Sequence, residues 1–161
     1  GRYSDIEYFI RKSYHEIYNR RMFNQFKDNY APDYRYHGPS DRELVGRGDF
    51  LQDQLNLFQA FPNLAMQVED VYYLYDEKRD EYRCATRWNI IGNHEGFGIY
   101  GPATGAHVVI SGISQHIIKD GMFREEWSIY DEFALMRKLA QKRMAMKDNT
   151  DGAGNDDGLK A

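Results

Sequence analysis

The sequence predicts an α+β domain in which helices lie on one side of a bent antiparallel sheet. Three features carry that expectation. Apolar residues recur at spacings of three and four early in the chain and again after residue 132, which is the period of amphipathic helices. Between residues 65 and 130 the period drops to two, the period of strands. The alternation slips once, near Glu69-Asp70, as it does where a β-bulge bends a sheet. A pocket is expected between the concave face of such a sheet and the helices.

Ser4-Asp5-Ile6-Glu7 has the form of a capping box and opens the first helix. Ile6, Phe9, Ile10, Tyr14, Ile17 and Tyr18 form its apolar stripe, which fades near Arg20. A short second helix turns Met22, Phe23 and Phe26 inward, and Pro32 ends it because proline disfavours helix before itself. Residues 34–37 read as a short strand stopped by Gly38-Pro39, with Tyr36 at a pocket mouth and His37 either beside it or a solvated loop histidine. Residues 46–48 lead into a third helix through Phe50, Leu51, Leu55, Leu57 and Phe58, closed by Phe61-Pro62. Strands follow at residues 65–76, 81–92, 106–118 and 122–130, with a loop at 93–105. Asp120-Gly121 joins the last two, since Asp-Gly supplies the positive φ angles of a two-residue hairpin turn. A final helix runs from Glu132 to the neighbourhood of Met146. Residues 1–147 are thus expected to be one domain, and residues 148–161, rich in Gly, Asn and Asp, an unfolded tail.

A chain of 161 residues is long enough to bury a core without staples. Its 13 tyrosines suit a cavity lined by large, partly polar rings. The net charge of −4 disfavours nucleic acid and anionic membranes as partners. No apolar run approaches the ~20 residues of a membrane span. The lone Cys84 rules out an internal disulfide and is compatible with a reducing cytoplasm, the expected location. It sits on an inward strand face, where it reads as a packed small hydrophobe. The histidines form no H-x-H, H-x-x-H or H-E-x-x-H pair, so no metal site is expected. A G-x-S-x-G nucleophile elbow is missing too.

The densest stretch for chemistry is residues 112–131. Strict alternation puts Phe123, Glu125, Trp127, Ile129 and Asp131 on one face of the last strand, expected to look inward. Across the hairpin, Ser114, His116 and Ile118 share a face, which would bring His116 beside Glu125 and Asp131. Carboxylates and an imidazole in an apolar concavity make general acids and bases. The expected geometry has Asp131 pointing into the pocket with His116, and Trp127 in the wall. A cationic His116 would keep Asp131 ionised, whereas a neutral one would leave burial to raise its pKa. Asp131 also directly precedes the last helix, so an N-cap role stands beside the catalytic one. Glu125 reads either as a substrate hydrogen-bond donor or as a paired structural carboxylate. His94 reads as a pocket imidazole or as a turn residue bonded to loop backbone. Trp88 and Trp127 read as core or as stacking platforms for a planar substrate.

Gly92-Asn93-His94-Glu95-Gly96, Gly101-Pro102-Ala103-Thr104-Gly105, Asp120-Gly121 and Glu125-Glu126-Trp127 with Asp131 together resemble the SnoaL-like polyketide cyclases, a family of the nuclear-transport-factor-like superfamily. The resemblance covers residues 4–140 or so. It implies a cone-shaped α+β barrel with its pocket at the open end. It implies intramolecular aldol ring closure with no metal or organic cofactor. Asp131 occupies the place of the family's acid/base aspartate, and His116 is the nearest match to its pocket histidine. Ala103 departs from the family's second proline, Ala106-His107 from its usual arginine, and Met122-Phe123 from a basic residue followed by Ile.

Two functions of different class follow. One is a cofactor-free cyclase, isomerase or dehydratase acting on a small cyclic or polyketide-like carbonyl compound, with Asp131, His116 and His94 as catalytic residues and His37, Tyr36, Trp88, Trp127 and Glu125 around the substrate. The other is a non-catalytic small-ligand binding or assembly module on the same cone. A homodimer is expected through the convex face, where Arg83, Ala85, Arg87, Asn89 and Ile91 oppose the core row of their strand.

Overall fold

The computed structural model describes residues 2–159, with side chains for residues 5–150. Helix α1 (Arg2–Tyr14) runs on into a π-helical turn, His15–Asn19. The expected cap at Ser4 falls outside the described side chains. Ile10, Tyr14, Ile17 and Tyr18 are buried, which is the stripe that the sequence spacing predicts. A short α2 (Gln25–Asn29) buries Phe26 and leads directly into β1 (Tyr30–Gly38). The chain then turns through Ser40 and Asp41, both at positive φ, into β2 (Arg42–Val45). This edge strand carries no apolar alternation, so the expectation that the strand simply stops at Gly38-Pro39 missed it. Helix α3 (Arg47–Ala60) buries Phe50, Gln54 and Phe58.

The long strands lie close to their expected places: β3 (Ala65–Asp76), β4 (Glu81–Asn93), β5 (His107–Lys119) and β6 (Met122–Tyr130). The register of β3 on β4 skips between Val68 and Asp70, which is the expected bulge. Tyr82, Cys84, Thr86, Trp88 and Ile90 turn inward along β4, with Tyr82 half-buried at its end. Gly112 faces Trp88 across the ladder, and a Cβ there would lie 2.4 Å from the indole, so only glycine lets the ring fold over β5. Asp120 (φ 53°) and Gly121 (φ 71°) make the hairpin turn as expected.

Two features correct the sequence reading. The six strands form one sheet in the order β2-β1-β6-β5-β4-β3, and β1 runs parallel to β6. The curved sheet is therefore mixed, with antiparallel pairing everywhere else. Helices α1 and α3 cover its concave face, and the core forms between them. The last helix, α4 (Glu132–Leu159), also continues past Met146. The expected tail, residues 148–161, lies mostly outside the described side chains.

Candidate functional site

The decisive local event is a second bulge. Ile118 pairs with Phe123 but Ile117 pairs with Glu125, so Arg124 is the extra residue on β6. An extra residue reverses the phase of every side chain beyond it. Phe123 stays inside, after which Glu126, Ser128 and Tyr130 turn inward in place of Glu125, Trp127 and Ile129. Opposite them, Ser114 and His116 of β5 face inward as expected.

These rows line a cavity of about 40 Å³. Its wall includes Tyr14, Tyr36, Trp88, Ser114, Glu126 and Tyr130. Glu126 is its buried carboxylate. Tyr34 Oη donates to Glu126 Oε1 at 2.6 Å, and Ser114 Oγ donates to Oε2 at 2.8 Å. Trp88 Nε1 donates in turn to Ser114 Oγ at 2.9 Å. Burial pushes the Glu126 carboxyl up to about 7, against the opposing pull of the Tyr34 and Ser114 hydrogen bonds.

His116 stands beside it. Its Nδ1 lies 3.7 Å from Glu126 Oε1, and its Nε2 is 2.8 Å from Tyr14 Oη. Complete burial pushes its pKa down to about 3, so the ring is neutral near pH 7. The cationic imidazole considered from sequence is therefore not formed. Burial, chiefly, also raises the Tyr14 phenol far above its ordinary value, which keeps it a hydrogen-bond donor.

At the outer end, Arg42 of β2 joins several elements. Its guanidinium contacts Glu132 at 3.1 Å, Asp53 at 3.4 Å and Tyr130 Oη at 3.2 Å. Glu132 also accepts from Tyr100 Oη at 2.9 Å and Ser40 Oγ at 2.8 Å. Burial works against the Glu132 charge, but hydrogen bonds from Ser40, Tyr100 and Arg42 outweigh it and hold this carboxylate below the usual range. Arg143 of α4 pins the Tyr100 loop by donating to the carbonyls of Tyr100 and Pro102.

Of the residues singled out from sequence, the cavity contains Tyr36 and Trp88 in its wall, with His116 bonded to its Tyr14. The others lie elsewhere. Asp131 is exposed and accepts from the Ala134 amide at 2.9 Å, which makes it the N-cap of α4. Glu125 and Trp127 sit on the convex side with His37, whose ring stacks on Trp127 at 5.2 Å. His94 is buried but bonded within its loop, its Nδ1 2.9 Å from Thr104 Oγ1. Among the described residues, no three His, Cys, Asp or Glu side chains are grouped to hold a metal ion. Glu126, Tyr14, Ser114 and Tyr34 are polar residues to which the sequence reading gave no functional role. The available signal was the opposed row Ser114 and His116 against Glu126 and Ser128, which makes one polar stripe only when β6 carries an extra residue.

A family model described as SnoaL-like polyketide cyclase matches residues 9–139. Several solved structures share the fold. A candidate SnoaL-like polyketide cyclase from Jannaschia sp. CCS1 is 18% identical with a TM-score of 0.68, over 80% of this chain and 89% of that one. IdmH, a candidate polyketide cyclase from Streptomyces antibioticus, is 21% identical with a TM-score of 0.66, over 80% and 94%. AclR, a candidate hydroxylase from Streptomyces galilaeus, is 20% identical with a TM-score of 0.69, over 86% and 97%. No curated protein matches the chain.

Proposed function

The chain belongs to the SnoaL-like polyketide cyclase family, and we propose that it is an acid/base enzyme acting on a small cyclic or polyketide-like carbonyl compound, with Glu126 as its base. The observation that carries this reading is one carboxyl group, buried in the wall of a mostly apolar cavity and titrating near neutrality. A base of that pKa is half-ionised at working pH and strong enough to accept a proton from carbon. Glu126 removes a proton from the carbon next to the substrate carbonyl. Tyr14 donates a hydrogen bond to the enolate oxygen, held in place by neutral His116. The enolate carbon attacks a second carbonyl of the same molecule, and the new alkoxide takes the proton back from Glu126. The carboxylate is regenerated, and this sequence calls on no cofactor.

The test uses 1-tetralone as a small cyclic ketone and follows exchange of its α-hydrogens in D₂O by NMR. The wild type is expected to speed exchange and Glu126→Gln to lose the effect, while Asp131→Asn retains it. A second reading has one observation in its favour: Glu126 already receives two hydrogen bonds from protein groups, as a purely structural carboxylate would. A binding module would take up the ketone equally well with Glu126 or Gln and exchange nothing.

The same reading includes a homodimer and a cytoplasmic setting. The convex face exposes Tyr72, Leu74, Val109, Ile113 and Ile129, an apolar surface suited to a two-fold contact. Cys84 is a buried free thiol, in keeping with a reducing compartment. No helix of the described residues is long and apolar enough to cross a membrane.

A further inference from the structure

We propose that β2 is a proton-controlled strap on the sheet edge beside the cavity, pinned while the His37 ring carries two protons and loosened when it loses one. The proposal concerns access to the cavity and so rests on the reading that the cavity is the ligand site. His37 has a carboxylate at each ring nitrogen. Its Nε2 lies 2.7 Å from Glu125 Oε2 of β6, and its Nδ1 bonds Glu43 Oε2 of β2. A carboxylate only accepts hydrogen bonds, so both contacts need an N–H, which only the imidazolium has. In the neutral ring one nitrogen turns its lone pair towards a carboxylate, and that contact becomes repulsive. Stacking on Trp127, with planes 14° apart, hinders the ring from swinging clear.

The contact that gives way is the one to Glu43. Its side chain is 63% exposed against 26% for Glu125, and it belongs to a four-residue edge strand paired on one side only. The other charges on this face are Arg35 of β1, opposite Glu125 in the register, and Asp33, 3.9 Å from Arg124. Burial works against the His37 charge, but hydrogen bonds to Glu125 and Glu43 outweigh it and raise its pKa. The sign follows from a raised folded value. The tie is complete below the unfolded histidine pKa of ~6.5 and is lost as pH rises through the higher folded value.

The strand matters to the cavity because of its other face. Arg42 directly precedes Glu43, so the two side chains leave β2 in opposite directions. Arg42 holds Tyr130 directly and Tyr100 through Glu132, and both tyrosines line the cavity. Once Glu43 is released, the Arg42 contacts and the packing of Leu44 on the core are left to anchor the strand's side chains.

The experiment needs no substrate. Histidine NMR locates the His37 titration between pH 6 and 9. Amide exchange, corrected for its intrinsic pH dependence, reads the Tyr36–Leu44 ladder. Its protection is expected to fall by about tenfold in step with His37, while the β4–β5 ladder keeps its own. Glu43→Gln should remove the dependence without unfolding the domain, and His37→Gln should do the same. Uptake of the dye 8-anilinonaphthalene-1-sulfonate should quicken over the same pH range in the wild type only. The proposal is overturned if protection stays constant while His37 titrates, or if Glu43→Gln shows the same fall. It is also overturned if the strand loosens while dye uptake stays unchanged. In each case the Glu126 assignment stands or falls separately, on ketone exchange.

Discussion

Glu125 and Glu126 are neighbours in the chain and stand on opposite faces of β6. Glu125 lies on the convex side, partly in water, with the His37 ring against it. Glu126 lies inside, with two hydroxyl donors, a neutral imidazole and, among the described residues, no cation beside it. The same side chain is thus half of a surface ion pair in one place and a group titrating near 7 in the other. Water and partners set the proton affinity of a carboxylate, and one extra residue at Arg124 decides which glutamate goes where.

The sharpest way to break this contrast is Glu126→Gln. Loss of a general base is expected to lower ketone exchange by about 10²–10⁴-fold. The same variant tests the burial argument. The folded Glu126 pKa lies above its unfolded value, so the advantage of the neutral form is present at acid pH and lost as pH rises through about 7. Wild-type stability in urea should therefore fall by about 3 kcal/mol between pH 4 and 8, and the fall should vanish in Glu126→Gln. Equal slopes in the two proteins would show that Glu126 is hydrated.

Ile129→Asp probes the convex face next. Light scattering on the wild type should give about twice the chain mass of 19.0 kDa, and the variant should give the single-chain value. A wild-type particle of single-chain mass would remove the dimer. Glu125→Gln is the outer counterpart of the Glu126 change. It should leave ketone exchange intact and lower the His37 pKa, since a single carboxylate remains beside the ring. Histidine NMR reads that shift. Asp131→Ala should have the smallest effect, the loss of an N-cap worth about 1 kcal/mol, with no change in exchange rate. A large loss of activity there would return Asp131 to the catalytic role implied by the family resemblance.

Much of the architecture was legible because it is local. The Asp120-Gly121 turn, the bulge near Glu69, the inward row of β4 and the inward face of His116 each follow from residues within a few positions of one another. The site was less legible. Alternation in β6 favours Phe123, Glu125, Trp127 and Ile129 as the buried row because they are the more apolar set. The real inner row is polar because it lines a cavity, and hydrophobic pattern alone points the wrong way in such a place. Asp131 shows a related limit, since a carboxylate before a helix meets the needs of an N-cap with backbone amides alone.

The sequence by itself determined the fold class, the positions of the four long strands, the helix stripes and the family, because these rest on periodicity, turn chemistry and short motifs. The tertiary structure decided the pairing of β1 with β6, the existence of β2, the bulge at Arg124, and hence which carboxylate is buried. Each of these depends on contacts between segments far apart in the chain. A bulge costs little locally, and its position is settled by which register lets Tyr34, Ser114 and Glu126 satisfy one another inside the sheet.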